Sequence, residues 1–390
     1  MHYDCVIVGG GIVGASMAIM LGQMHYRVLL LEKQSVLAQP EPMDARTIAL
    51  SYASFCIYSA LGLWQPVADK AVPIEQVWVS MQGQYGGSHL DCQQEGLPAL
   101  GFVVGAQHLE EVLYGALASL ETVTVLRPAT LLSQQGYPDN WHLLVQAQDA
   151  TQAVTCRLLV AADGVQSILR ESQGIPWVKK DYGHYAIMTN VRWHAATKGV
   201  AIERFLPQGA IALLPWQNDW ATCIWTLAQV QAKTLSALPA DEFLAACQRA
   251  LGGRMGQLLQ VGKRHCFPLQ MQFATTQITS RFMLAGNAAH SLHPIAAQGL
   301  NLSLRDIWQL RGQLLKARAT PCDIGSPVFL AEYYARRKAD QTRMIFATDW
   351  IARFMASGTL PGALRAMGMT LFDSFTPCKR LFTQAGMGML

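Results

Sequence analysis

Uninterrupted apolar runs mark the chain at three places: Cys5-Val6-Ile7-Val8, Val28-Leu29-Leu30-Leu31 and Phe282-Met283-Leu284-Ala285. Runs of this length, bounded by turn residues, read as strands buried on both faces of a parallel sheet. Between the first two, Ala15, Ala18, Ile19 and Leu21 recur at helical spacing from Ile12 to Met24. Residues 3–32 thus predict a strand, a helix and a second strand (Arg27–Glu32). A helix follows over His108–Leu120, then short strands at 122–126, 129–133, 142–146 and 154–160. Residues 184–228 change character. Apolar and polar positions alternate there, and the Pro215–Trp220 turn joins two alternating runs into an antiparallel hairpin. Helices are predicted over Asp241–Leu251 and Asn301–Ala317, and the chain reads as helical beyond Pro327.

The pattern predicts an α/β protein with an antiparallel sheet inserted into a parallel-sheet, Rossmann-like nucleotide-binding domain. The expected division gives residues 1–75, 100–180 and 275–325 to that domain. Residues 76–99 and 181–274 form the substrate-binding sheet domain, and residues 326–390 a C-terminal helical region.

Composition narrows the function. Of 390 residues, 51% are apolar and 14% charged, against roughly 25% charged in an average globular chain. Mean hydropathy is +0.18, which excludes disorder. The net charge of +4, with no basic run longer than Arg336-Arg337-Lys338, argues against nucleic acid as a partner. The longest uncharged stretch, Cys5–Tyr26, is long enough to span a bilayer but is broken by five glycines, and Asp4 precedes it. Neither a membrane span nor a signal peptide is expected. Nine scattered cysteines without a CxxC pair point to a reducing, cytoplasmic setting and to no metal site.

Gly9-Gly10-Gly11-Ile12-Val13-Gly14 carries the strongest chemical signal. It places G-x-G-x-x-G between the first strand and its helix, with Glu32 closing the second strand. In such a unit Gly9 permits the turn, Gly11 lets the backbone approach a pyrophosphate, and Gly14 lets helix and strand pack closely. The helix N-terminus supplies N–H groups for the phosphates, and Glu32 an acceptor for a ribose hydroxyl. Two later segments each follow a predicted strand: Ala162-Asp163-Gly164, and Gly286-Asn287 running through Leu292-His293-Pro294-Ile295-Ala296-Ala297-Gln298-Gly299-Leu300-Asn301.

These segments resemble, in order and spacing from residue 3 to about 350, the group A FAD-dependent aromatic hydroxylases. That fold is of the glutathione-reductase-like type. With Asp44-Ala45-Arg46-Thr47-Ile48-Ala49-Leu50, they are most similar to the ubiquinone-biosynthesis hydroxylases, on the 2-polyprenyl-6-methoxyphenol hydroxylase side of that family. The resemblance implies FAD as cofactor and NAD(P)H as a transient co-substrate. It implies O2 acting through a flavin C4a-hydroperoxide on a polyprenylated phenol. Gly9, Gly11, Gly14 and Glu32 would hold the ADP half of FAD, and Arg46 and Gln107 would lie near the pyrophosphate and ribityl chain. Asp163 and Gly164 would touch FAD and NAD(P)H, Asn287 would bind the ribityl chain, and Pro294, Gly299, Leu300 and Asn301 would run along the isoalloxazine.

Two positions depart from the family pattern. Asn287 replaces an Asp, keeping an acceptor but losing charge. Ala297 replaces a Gly beside the ring. No side chain announces itself as a catalytic acid or base. His290 and His293, three apart, lack a third ligand at metal spacing.

Residues 301–390 hold 12 Lys/Arg against 6 Asp/Glu, whereas residues 1–300 hold 18 against 20. The basic surplus, interleaved with Phe346, Trp350, Phe354 and Leu364, suits a peripheral membrane surface, a docking site for other ubiquinone-biosynthesis enzymes, or an ordinary helical cover. Two alternatives to the hydroxylase stay open: an FAD-holding scaffold subunit, and a same-fold prenyl reductase or epoxidase.

Overall fold

The computed structural model describes residues 1–35, 42–83, 87–148, 150–194, 198–207, 209–253, 256–292, 298–317, 323–356, 383–384 and 386–389. The chain opens with β1 (His2–Val8), α1 (Ile12–Gln23) and β2 (Val28–Leu31). Next come β3 (Thr47–Ser51), α2 (Tyr52–Ala60), α3 (Trp64–Ala68), β4 (Val72–Ile74), β5 (Gln76–Met81), β6 (Gly87–Asp91), β7 (Gly101–Gly105) and α4 (Ala106–Ala118). A strand series follows: β8 (Val123–Leu126), β9 (Ala129–Gly136), β10 (Trp141–Ala147) and β11 (Ala150–Ala161), with α5 (Ile168–Ser172). Then come β12 (Trp177–His194), β13 (Val200–Leu206), β14 (Gly209–Pro215), β15 (Trp220–Ala228), α6 (Gln229–Ala237) and α7 (Ala240–Leu251). The remainder is β16 (Gln257–Val261), β17 (His265–Ala274), β18 (Ile278–Thr279), β19 (Phe282–Leu284), β20 (His290–Ser291), α8 (Gln298–Ala317) and α9 (Pro327–Ala356).

The three apolar runs are neighbours. They form the centre of one sheet in the order β18-β19-β11-β1-β2-β8, in which β19, β11, β1, β2 and β8 are parallel. Both faces are covered, which is why these strands carry no alternation. On one face α1, α4 and α8 pack with Ile7, Leu30, Leu113 and Leu310 in a single cluster. On the other, β9 and β10 bring Trp141, Leu143 and Val145 against Val6, Leu29 and Phe282. Helix α1 is buried from Gly14 through Gly22, as an all-apolar helix must be.

The alternating region forms a second sheet, ordered β20-β17-β12-β15-β14-β13-β5-β6. Its odd-numbered β12 positions Ile187, Val191 and Trp193 join Ile202, Ile211, Trp225 and Phe243 beneath α6 and α7. The opposite face turns toward the first sheet's side of the molecule. There Asn190 donates to the Ala45 carbonyl at 2.7 Å, and Thr222 meets Thr47 at 2.5 Å. A small third sheet, β3-β7-β4, lies between the two, with Ile74 and Val103 packed on Ala201 and Trp216.

The predicted helices over 12–24, 108–120 and 241–251 are found within a residue or two, and α8 begins at Gln298, one turn before the expected Asn301. The helical reading beyond Pro327 is met by α9 up to Ala356, and residues 357–382 of that reading lie outside the described residues. Helices α2, α3, α5 and α6 were not predicted; they are short, and their apolar residues show little helical periodicity. Ser51 caps α2 by accepting from the Ser54 backbone N–H at 3.3 Å.

Candidate active site

The βαβ turn is built tightly. Gly9 has φ +106°, and a Cβ there would fall 2.3 Å from the Ala162 carbonyl oxygen, so only glycine serves. A Cβ on Gly14 would sit 1.9 Å from the Gly9 carbonyl oxygen. A Cβ at Gly11 would meet nothing within 4 Å, so its space is open. The three glycines thus divide the work: two let backbone meet backbone, and one leaves room for a ligand.

Glu32 reaches across the turn. Its Oε2 accepts from the Gly10 N–H at 2.7 Å and its Oε1 from the Gln34 N–H at 2.7 Å. Gly10, a variable position in the motif, is fixed by this contact. A Cβ there would lie 2.7 Å from the Glu32 Cβ and 2.3 Å from the Tyr114 hydroxyl. Tyr114 itself donates to the Gly10 carbonyl at 2.9 Å, with the Arg127 guanidinium 4.4 Å above its ring. Burial pushes the Tyr114 phenol up to about 12 against the pull of Arg127, so it remains a donor. Sequence reasoning missed Tyr114. It lies seven residues beyond Gln107 on one face of α4, a spacing that would have flagged it.

Arg46 and Gln107 are brought together because the Ala106 N–H donates to the Arg46 carbonyl at 2.8 Å. Gln107 is half-buried and also faces Glu111 at 3.4 Å. Burial raises the carboxyl of Glu110, while the charges of Arg127 and Arg46 pull it down. These groups border Glu32 at one mouth of the turn.

The other two segments arrive from strand ends, the usual ligand side of such sheets. Asp163 follows β11, and its Oδ1 is buried with no hydrogen-bond partner among the described residues. An orphaned acceptor of this kind is costly unless a ligand hydroxyl fills it. Gly164, at φ +87°, turns the chain away. Arg170 then donates to the carbonyls of Val165 (3.0 Å) and Ala288 (3.4 Å), tying this segment to the one that holds Asn287. Asn287 is exposed beside buried Gly286, which packs on Val13 of α1. Gly299, Leu300 and Asn301 form the first turn of α8. The Asn301 Oδ1 accepts from the Ser51 N–H (2.9 Å) and the Ser54 hydroxyl (2.7 Å), so its side chain staples β3 and α2 to this turn. Pro294 lies outside the described residues, as do His293 and Ala297.

His290 is fully buried and meets the Asp306 carboxylate at 2.8 Å. Asp306 also accepts from Arg337 at 2.6 Å and Gln341 at 3.0 Å. Burial alone would raise the Asp306 carboxyl; Arg337, His290 and Gln341 outweigh it and hold it below the ordinary carboxylate value. The histidine is thus a structural tie between the Asn287 segment, α8 and α9. No group of three or more His, Cys, Asp or Glu gathers at metal-binding range among the described residues.

The open space at Gly11, the orphaned Asp163 acceptor and the Glu32 carboxylate suit a dinucleotide with hydroxyl-bearing sugars. The fold agrees. It matches p-nitrophenol 4-monooxygenase PnpA from Pseudomonas putida DLL-E4 with a TM-score of 0.79 at 18% identity, covering 98% of this chain and 96% of that one. It matches PqsL, a probable FAD-dependent monooxygenase from Pseudomonas aeruginosa, at 0.79 and 20%, covering 95% and 100%. The fold is therefore the one these two proteins share.

The sequence is more specific. The FAD binding domain family matches residues 2–346. Ubiquinone hydroxylase UbiL of Rhodospirillum rubrum is 33% identical over 99% of this chain and 90% of its own length. The 3-demethoxyubiquinol 3-hydroxylase of Escherichia coli is 28% identical over 99% and 98%. The chain belongs to the FAD-dependent hydroxylases of ubiquinone biosynthesis, and FAD is its cofactor.

Proposed function

We propose that the protein hydroxylates the ring of a polyprenylated phenol of the 2-polyprenyl-6-methoxyphenol type, with NAD(P)H and O2 as co-substrates. One observation carries the substrate class. On the face of the second sheet turned away from α6 and α7, Ala212, Ile224 and Met188 pair across β14, β15 and β12, and Val79 of β5 continues their row on the far side of β13, all four half-buried, beside the row seated on β3. Paired residues share a face, so this row presents a mostly apolar wall suited to an aromatic ring with an isoprenoid tail.

Bound FAD would supply the oxygen-activating redox chemistry. The protein's part is to hold and orient. Gly9, Gly11, Gly14 and Glu32 are assigned to the ADP half, Arg46, Gln107, Asp163, Gly164 and Asn287 to the pyrophosphate and ribityl region, and Gly299, Leu300 and Asn301 to the ring. The free N–H groups at the start of α8 would favour negative charge on the ring. The apolar wall would exclude water from the reacting carbon. Deleting the protein from its host should accumulate a polyprenylated phenol one oxygen short of the next intermediate. An unchanged quinone-precursor profile would refute the assignment.

No helix among the described residues is long and apolar enough to cross a membrane. A surface contact is nonetheless supported on α9, where Phe346 (70% exposed) and Trp350 (59%) lie one turn apart beside exposed Arg343. Phosphatidylglycerol vesicles at low salt should sediment the protein, and the Phe346→Ser/Trp350→Ser double variant should stay in solution. Wild-type protein left in the supernatant would remove the membrane contact.

A further inference from the structure

One residue interrupts the apolar wall. Glu203 of β13 is paired directly with Ala212 of β14 and Val79 of β5. Its flanking neighbour Ile202 lies in the cluster beneath α6 and α7, and Ala201 packs with Ile74, Val103 and Trp216 on the opposite side. Strand alternation therefore places Glu203 on the same face as Ala201, in the row with Ala212, Ile224 and Met188.

Glu203 has no hydrogen-bond or ion-pair partner among the described residues. Its neighbour Arg204 is engaged elsewhere, donating to the Leu251 carbonyl at 2.9 Å. A carboxylate set among apolar neighbours without a partner destabilises the fold, and such groups persist where function needs them. Among the described residues nothing is placed to neutralise it: α9, which packs on β12 and β14, brings Asp349, and that carboxylate is paired with Lys180 of β12. Strands β5, β14 and β15 present no titratable side chain on this face, and the strands β3, β4 and β7 packed against it contain none. Tyr52 and Cys92 cluster at its margin around Val77, both raised by burial and so uncharged. His265, paired with Met188, is exposed four strands away, about 19 Å at strand spacing.

We propose that Glu203 is a catalytic residue that binds the substrate's phenol hydroxyl and takes its proton. The inference rests on the phenol substrate proposed above. The O–H bond of the phenol breaks, its proton goes to a Glu203 carboxylate oxygen, and the electron pair stays on the phenol oxygen. The resulting phenolate pushes electron density onto the ring carbons ortho and para to it, where an electrophilic oxygen is accepted. The C–O bond forms at one of these carbons, and the C–H bond there breaks, its electron pair restoring the aromatic ring and its proton leaving to solvent. The proton held by Glu203 returns to the phenol oxygen, which restores the carboxylate. NAD(P)H supplies the two electrons, and the second atom of O2 leaves as water. Burial raises the Glu203 carboxyl above its ordinary value, which brings it toward the strength a general base needs near neutrality. The active form is the ionised one, so turnover rises with pH through this raised ionisation.

The test uses FAD-loaded enzyme, NADPH and 2-methoxyphenol carrying a short prenyl chain, with Glu203→Gln and Glu203→Asp beside the wild type. Product formation, the phenolate absorption of bound substrate, FAD affinity and melting temperature are all read. Glu203→Gln should lose about 100-fold or more in product formation. It should also lose the phenolate band and flatten the pH profile, with FAD affinity unchanged and a higher melting temperature at neutral pH. Glu203→Asp should restore part of the pH-dependent rate. A Glu203→Gln enzyme that keeps the rate and pH profile overturns the proposal, as does one that melts lower and sheds FAD, which marks a structural residue. If wild-type enzyme hydroxylates no phenol at any pH, the phenol reading itself falls and this role falls with it.

Discussion

Gly14→Ala protein should purify without flavin. The new Cβ would lie 1.9 Å from the Gly9 carbonyl oxygen and 3.1 Å from its carbon, both backbone atoms of the turn proposed to meet the phosphates. Alanine would gain about 1 kcal/mol of helix propensity over glycine, but overpacking of this kind costs about 1–3 kcal/mol. Here no flexible side chain can give way, so the clash wins, and the helix must move off the strand that aims its N–H groups. FAD affinity is expected to fall by more than about 100-fold, roughly 2.7 kcal/mol. Gly11→Ala is the control. Its Cβ meets nothing within 4 Å, so the apoprotein should melt as the wild type does while FAD binding weakens, because the open space is the ligand's. Flavin absorbance per protein and apoprotein melting separate the two. A yellow Gly14→Ala protein, or a destabilised Gly11→Ala apoprotein, would contradict this division of labour.

Arg337→Met should cost about 3–5 kcal/mol, the usual loss when one partner leaves a buried ion pair. Arg337 and Asp306 are 7% and 9% exposed at their side chains. Without the guanidinium, Asp306 keeps hydrogen bonds from His290 and Gln341 but loses its main neutralising charge. The sign with pH follows from the depressed Asp306 carboxyl. The pair stabilises fully above the ordinary carboxylate value of 3.8 and is withdrawn as pH falls below it. The gap between wild type and variant should therefore be widest near neutrality and narrow in acid. Adding Asp306→Leu should recover much of the loss, since an apolar pair of similar volume replaces two buried charges. Urea unfolding at several pH values reads all three variants. A loss that does not vary with pH would show that packing, and not charge, carries the contact.

Much of this molecule is legible locally. The dinucleotide turn, its acidic partner and the three apolar strands are set by spacing within some thirty residues, so pattern alone places them. The family resemblance extends that reading to FAD and to Asp163 and Asn287. What escapes is non-local. Tyr114 reaches Gly10 across 104 positions, and Arg337 reaches Asp306 across 31; helical spacing from Gln107 can single out Tyr114, but nothing near either residue announces its partner. His290 shows the hazard of reading a side chain alone, because its pairing with Asp306 is a structural tie to α8 and α9. Glu203 is the hardest case. In sequence it is one polar residue in an alternating strand, where solvent exposure is the ordinary meaning. Only the register with Val79 and Ala212 places it on the inner face.

As an aromatic hydroxylase, this chain should insert one atom of dioxygen into an aromatic ring. The direct measurement is product mass from purified, FAD-loaded protein given NADPH, 18O-labelled O2 and a short-chain prenylated methoxyphenol. The product should carry one labelled oxygen. NADPH consumed with unlabelled or reduced product, or with none, would contradict it.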